Sequence, residues 1–418
     1  MMSNVVPAHS NTNSNTKPIS RNKLLAVAGT GWMFDAMDVG ILSFVIAALA
    51  ADWGLNSGQM GLIGSVNSIG MAVGALIFGV FADKVGRKTI FMWTLILFSV
   101  ASGLSAITTT FMAFLILRFF VGMGLGGELP VASTLVSESV PAKERGRVVV
   151  LLESFWAGGW LLGAIISYFV IPADFWPIEG WRVALLLTAI PAFYALYIRM
   201  HLPDSPQFTA KPEMKKRSVW KNIAGVWEKK YAKATLMLWI VWFVVVFSYY
   251  GMFLWLPSVM VGKGFSLISS FGYVVIMTLA QLPGYFSAAW LIEKAGRKFV
   301  LVTYLLGTAG SAFVFGNAES IEVLLISGIL LSFFNLGAWG ALYAYTPEQY
   351  PSVNRGTGAG LAAAVGRVGG IFGPLLVGNL LASGLDIGYI FTIFCISIVI
   401  GVVAILLLGK ETKQMELE

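Results

Sequence analysis

The chain is short of histidine, cysteine and charge, and each scarcity removes a class of function. The single cysteine, Cys395, leaves no disulfide and no thiolate metal site. His9 falls in the N-terminal tail and His201 at the end of an apolar run. No nucleophile–base pair and no ligand cluster remain, so an enzyme, a metal site and a cofactor are not expected. Charged residues make up only 12% of the chain, against about 25% in soluble domains. Much of the surface must therefore face something other than water. The formal charge of +7 would suit nucleic acid, but the basic residues are placed as a membrane places them, which removes that partner.

What the chain has instead is apolar sequence, 57% of it. About 20 consecutive apolar residues cross a bilayer, and twelve such runs lie near 24–50, 58–82, 89–108, 111–137, 147–170, 181–201, 234–257, 268–292, 299–317, 321–345, 356–381 and 386–408. Lys17, Arg21 and Lys23 precede the first run with no small-residue cleavage site, so it reads as an uncleaved span. Lys84, Arg87, Lys88, Lys143, Arg145, Arg147, Lys294, Arg297, Lys298 and Arg355 all fall in connections on one side; Arg182 and Lys263 alone fall on the other. The positive-inside rule then puts both termini in the cytoplasm. The expected organisation is a disordered tail (1–21), a six-helix bundle (22–202), a lysine-rich linker that sets topology and meets anionic lipid (203–233), a second six-helix bundle (234–409) and a short tail (410–418).

The chain also repeats itself. GVFADKVGRK at 79–88 aligns without a gap on AWLIEKAGRK at 289–298, an offset of 210 residues. The same offset carries Glu138 onto Glu348, Pro141 onto Pro351, Arg145 onto Arg355 and Gly146 onto Gly356. One register kept across half the protein marks two copies of one unit.

Ionisable residues inside a span are costly and are functional candidates by default. Asp35 and Asp38 lie about 16 Å into the first run at 1.5 Å per residue, near mid-bilayer, and three apart they share a helix face. Two carboxylates so close in a low dielectric hold one charge between them, which suits a proton carrier. Arg118 in the fourth run is the expected counter-ion of Asp38; the plain alternative is a structural ion pair. Glu128, in the glycine-rich RFFVGMGLGGELP, and Glu153, sharing a helical face with Trp156 and Trp160, are further candidates. In the second half Arg367 is the strong cation deep in a span, about 16 Å into the eleventh run. No acid accompanies it in that run, so it wants an anion, and a carboxylate would be a bidentate partner. Tyr249 and Tyr250, Gln281, Asn335 and Trp339 supply aromatic faces and polar groups for a lining; interhelical packing is the alternative for each.

Twelve spans, a basic linker and the doubled G/A-x-x-x-[DE]-K-x-G-R-K together resemble the major facilitator superfamily, over essentially the whole chain past the tail. The resemblance implies an all-α membrane protein of two pseudo-symmetric six-helix bundles that rock about a site at the membrane midplane. In the second copy Ala289 stands where the first has Gly79. Asp83, Arg87, Glu138 and Arg145, with Glu293, Arg297, Glu348 and Arg355, then form an expected cytoplasmic gate, ion pairs that close that side while the site faces outward. Each exposed pair is worth about 0–1 kcal/mol, so only a network could bias the two states.

SYYG and GRVGGIFGP are similar to the matching segments of organic-anion transporters, and FDAMD to the paired-aspartate segment of aromatic-acid/proton symporters, with Ala36 in place of the usual glycine. With GELPVASTLVSE, SFFNLGAWG and YTPEQYP the chain resembles the bacterial niacin permeases, relatives of the synaptic-vesicle glycoprotein. The resemblance implies nicotinate as substrate, a proton as co-substrate, and a bacterial plasma-membrane monomer. The residues alone allow benzoate or another small aromatic acid equally. A drug exporter is disfavoured because GGWLLG in the fifth run lacks the proline such carriers place there, and a sugar porter because it has no use for Arg367.

Overall fold

The computed structural model of the chain describes residues 21–138, 142–201 and 219–413. Among these residues there are sixteen helices and no strand. The first half holds α1 (Arg21–Trp53), α2 (Ser57–Val85), α3 (Arg87–Ser105), α4 (Phe111–Glu138), α5 (Ala142–Val170), α6 (Gly180–Leu187) and α7 (Pro191–His201). A short α8 (Val219–Val226) follows, within the stretch read as linker. The second half holds α9 (Ala232–Phe253), α10 (Leu256–Gly262), α11 (Leu267–Leu279), α12 (Gln281–Ala295), α13 (Arg297–Gly316), α14 (Ile321–Glu348), α15 (Ser352–Ala382) and α16 (Ile387–Leu408). Eleven stretches among the described residues are long and apolar enough to cross a membrane, α6–α7 and α11–α12 each counting once. The 29-residue α5, packed along α1, is the twelfth long element. Large apolar side chains such as Phe193, Trp290 and Leu407 stand exposed on the outside, as a lipid-facing surface requires.

The repeat is carried into the backbone. Shifted by 210 residues, α2 falls on 267–295, α4 on 321–348 and α5 on 352–380, the positions of α11–α12, α14 and α15. Gly86 and Gly296, partners under the same offset, both take φ near 100° (108° and 100°) with ψ 146° and 156°. Only glycine enters that region without strain, so the repeated motif turns the chain identically in both halves. The packing repeats as well: α1 lies on α5 as α9 lies on α15, and α3 on α4 as α13 on α14. The halves meet through α2–α15 and α5–α11, two contacts that the offset interchanges.

Three spans read as continuous are broken, and proline explains each break. A proline cannot donate to the carbonyl four residues back and its ring clashes there. Four residues before Pro191, Pro257 and Pro283 lie Leu187, Phe253 and Leu279, the last residues of α6, α9 and α11. Pro374 leaves α15 unbroken. One turn earlier the Ser65 hydroxyl of α2 donates to the Ile371 carbonyl at 2.7 Å, so that loosened turn is tied across the seam.

Close backbone approach sets the first half. A methyl group on Gly74 would collide with the Met123 carbonyl, and one on Gly126 with the Met71 carbonyl. Glycines four apart, Gly70 with Gly74 and Gly122 with Gly126, thus let α2 and α4 touch backbone to backbone. The seam between halves is tight at the end poor in basic residues. There a Cβ on Gly378 would meet the Ser57 carbonyl at 2.5 Å, Phe44 packs edge-on against Phe271 at 4.8 Å, and Tyr168 lies against Gly272.

Candidate functional site

The seam has an aromatic centre. α15 approaches α9 through glycines; a Cβ on Gly373 would lie 2.5 Å from the Phe247 carbonyl. That contact sets Arg367 at the flank of α9, facing α2. Its Nη1 lies 3.8 Å from Met71 Sδ, and the Tyr250 hydroxyl lies 3.7 Å from the same sulfur. The two side chains thus meet at one sulfur, and the hydroxyl lies in the field of the guanidinium. Among the described residues no acid lies within the 4.0 Å of an ion pair with Arg367. Its charge is felt by Asp35, Glu153 and Tyr343.

Tyr249 and Tyr250 are a helical step apart and so address different helices of the first half. Tyr250 reaches α2, while the Tyr249 hydroxyl accepts from Trp156 Nε1 of α5 at 2.8 Å. Trp156 packs on Trp32 at 4.7 Å, and Tyr249 on Trp339 at 5.0 Å and Phe253 at 4.9 Å. Around this core the buried polar atoms of Trp32 (Nε1), Glu153, Trp160 (Nε1), Gln281, Tyr285 (Oη) and Asn335 (Oδ1) have no protein partner. Buried polar groups are nearly always hydrogen-bonded, so a cluster of exceptions at the seam marks a place built for water or a ligand. By contrast, the groove lined by Trp93, Ile96, Val100, Leu104, Leu117 and Phe120 is wholly apolar and faces outward. It offers lipid contact and no chemistry.

The two span-1 aspartates separate. Asp38 accepts from Ser102 Oγ at 2.6 Å and faces Arg118 Nη1 at 3.5 Å, both charged side chains fully buried. Arg118 Nη2 donates to Ser102 Oγ at 2.8 Å and Ser105 Oγ at 3.0 Å, and Thr188 donates to Ser102 at 2.6 Å. Asp35 has no partner for either oxygen among fixed donors. Asp35 feels Glu128 of α4 more strongly than Asp38, so a third carboxyl joins the two of span 1 in this electrostatic group. Three residues advance a helix by most of a turn, and the remaining angle is enough to set Asp38 between Ser102 of α3 and Arg118 of α4 while Asp35 meets neither. Glu128 sits against α1 closely enough that a Cβ on Gly31 would lie 2.7 Å from its Oε1.

At the basic-rich end the side chains of Asp83, Arg87, Glu138 and Arg145 lie outside the described residues. Of their repeat mates, Glu293, Arg297 and Glu348 form a network within the second half. Arg297 bonds Glu293 at 2.9 Å and Glu348 at 3.2 Å. Arg355 instead donates from Nε to the Pro347 carbonyl at 3.1 Å and meets no acid among the described residues. The stretch read as a plain C-terminal tail is bound into this network. Glu411 accepts from the Arg297 and Lys298 amides at 2.9 and 3.0 Å, and Thr412 donates to Glu348 at 2.6 Å. Burial pushes the Glu411 carboxyl up, but its backbone N–H donors outweigh that and hold it below its ordinary value.

Sequence reasoning passed over Trp32, Met71, Tyr285, Tyr343, Ser102 and Ser105. The serines carried a signal, since Ser99, Ser102 and Ser105 recur every three residues in an apolar run. The aromatics carried none.

Comparison with known proteins places this arrangement. The family model described as Major Facilitator Superfamily matches residues 29–284 and 273–417. A Bacillus subtilis (strain 168) protein described as a niacin/nicotinamide transporter is 66% identical over 402 residues, spanning 96% of this chain and 99% of its own. The niacin transporter of Acinetobacter baylyi (strain ATCC 33305 / BD413 / ADP1) is 45% identical over 424 residues, spanning 94% and 95%. Among solved structures, the partially occluded inward open form of the E. coli xylose transporter XylE matches with TM-score 0.79 at 18% identity, covering 95% of this chain and 99% of that one. At that identity the likeness speaks for the fold alone.

Proposed function

The chain belongs to the Major Facilitator Superfamily, and from that premise we propose that it carries nicotinate inward across the bacterial plasma membrane, with a proton, by alternating access. The observation that carries this reading is Arg367: a guanidinium at the seam with no ion-pair partner among the described residues, beside Met71 and Tyr250, whose neighbour Tyr249 packs with Trp156 and Trp339. An arginine holds a carboxylate in a bidentate fork, and the aromatic faces accept a flat ring. Gln281 and Asn335, both buried with unpartnered amide atoms, complete the lining.

The proton follows from the charge of the cargo. Moving one anion inward against the membrane potential costs about 2.3 kcal/mol per 100 mV. One proton travelling with it makes the step electroneutral. Asp35 and Glu128 form the proton-accepting pair, and Asp38 with Arg118 couples protonation to movement of α1 against α3 and α4. With the basic-rich end cytoplasmic, the tight seam lies on the outer side and the second-half gate network on the inner. The gate residues of the first half act with it when the other state forms. The two halves, 22–202 and 234–409, are the moving bodies of a monomer, joined by the 203–233 linker.

The test is uptake of labelled nicotinate into proteoliposomes of the purified protein. An imposed inward proton gradient accelerates uptake, and unlabelled nicotinamide, the uncharged amide, competes weakly. Uptake indifferent to the gradient removes the proton; equal competition by the amide removes the charge reading of Arg367. The name of the Bacillus subtilis relative includes nicotinamide, which makes that second arm the sharper one.

A further inference from the structure

Glu153 has no role in the reading above, yet it is built into the same chamber. It projects from α5 of the first half, is fully buried, and neither of its oxygens has a hydrogen-bond partner. One turn along α5, Trp156 fixes that helix to α9 by its bond to Tyr249 at 2.8 Å. The groups that feel Glu153 all belong to the second half: Arg367 of α15, Tyr285 of α12 and Tyr343 of α14. Glu153 on α5 and Arg367 on α15 thus belong to opposite halves, in electrostatic reach of each other and without an ion pair within 4.0 Å, while α5 packs on α12 and α14 of the second half. Between these helices lie the aromatic contacts already described, Trp156 of α5 with Tyr249 of α9, and Tyr250 beside the Met71 sulfur that Arg367 also approaches.

A buried carboxyl with no partner is expensive as an anion. What such a group offers a ligand is an O–H donor. Nicotinate carries its carboxylate on one ring carbon and, meta to it, an acceptor nitrogen with one lone pair in the ring plane. We infer that Glu153 reads the ring nitrogen of the substrate by donating its carboxylic-acid O–H to it, while Arg367 holds the carboxylate. This rests on the aromatic-carboxylate reading above and gives it a second point of recognition. A ligand held at both groups touches α5 and α15 at once and so bridges the two halves. In the first half the unpartnered indole N–H groups of Trp32 and Trp160 are competing donors; in the second half the unpartnered Tyr285 hydroxyl and Gln281 amide compete, and both lie on α12, in the same half as Arg367. A contact to either α12 group would leave the first half unengaged.

Benzoate has the same ring and carboxylate and lacks the nitrogen, so the comparison isolates the contact. Equilibrium binding of nicotinate, benzoate and nicotinamide is measured on detergent-solubilised wild type, Glu153→Gln, Glu153→Leu and Tyr285→Phe. Wild type is expected to prefer nicotinate to benzoate by about tenfold or more, the worth of a buried hydrogen bond whose loss strands a polar group. Glu153→Gln, which still has an N–H to donate, keeps the preference; Glu153→Leu loses it. Equal wild-type affinity for nicotinate and benzoate overturns the inference with no variant required. So does a preference that survives Glu153→Leu, or one lost in Tyr285→Phe alone. Nicotinamide binding as tightly as nicotinate sinks the underlying anion reading instead, which keeps the two failures apart.

Discussion

The Asp38–Arg118 pair gives the most quantitative prediction. Both side chains are fully buried, and the direct contact, 3.5 Å, is long for a charge-assisted bond, which ordinarily spans about 2.7–2.9 Å. The short contact is the Ser102 hydroxyl, 2.6 Å from Asp38 and 2.8 Å from Arg118. Truncating either charge strands the other in a low dielectric, a loss of about 3–5 kcal/mol. Asp38→Ala leaves Arg118 only Ser102 and Ser105; Arg118→Ala leaves Asp38 only Ser102. Removing both leaves no stranded charge, so the double variant should lose far less than the two singles together. Ser102→Ala should cost about 1–3 kcal/mol, the penalty of an unmade buried bond to a charged group. The assay is a double-mutant cycle on unfolding free energy in one fixed detergent. Independent sites add to within about 0.5 kcal/mol; additivity at that level for Asp38→Ala and Arg118→Ala would refute the idea that the two act as a unit.

Other consequences are simpler. Gly126→Ala puts a methyl group into the Met71 carbonyl; overpacking of this kind costs about 1–3 kcal/mol, so the melting temperature falls, whereas the outward Val100→Ala leaves it nearly unchanged. Asp35→Asn and Glu128→Gln should each abolish stimulation of uptake by a proton gradient while nicotinate counterflow continues; stimulation persisting in both removes them from the coupling. Glu411 has a folded-state carboxyl held below its ordinary value of 4.5 by backbone donors that outweigh burial. Its contribution is therefore full above about that pH and is lost as the pH falls through the depressed value. Hydrogen exchange at the Arg297 and Lys298 amides should show the tail contact protected at neutral pH and released by Glu411→Ala; equal protection in that variant contradicts the tie.

Much of the fold was legible because two independent signals agreed. Apolar runs of span length marked the helices, and the 210-residue offset placed them in two matching sets whose helix ends then coincide. The breaks in the sixth, seventh and eighth spans were written in Pro191, Pro257 and Pro283 but were invisible to hydropathy, which sees these segments as equally apolar on both sides of the turn. Within the site, charge was legible and packing was not. Arg367, Asp35, Asp38, Arg118 and Glu128 stand out because an ionisable group in a span must have a reason. Trp32, Tyr285 and Tyr343 do not, since an aromatic residue in an apolar helix looks the same facing lipid or facing the seam. The direction of a side chain depends on which neighbour helix it meets, and three-residue spacing alone could not tell that Asp38 turns to Ser102 and Asp35 to Glu128.

The most direct measurement of the central claim is calorimetric titration of nicotinate into purified wild type and Arg367→Gln, with melting temperature as the control for folding. A guanidinium that holds the anion's carboxylate predicts measurable binding to wild type and none to the variant at equal melting temperature. Affinity retained in a folded Arg367→Gln protein would contradict it.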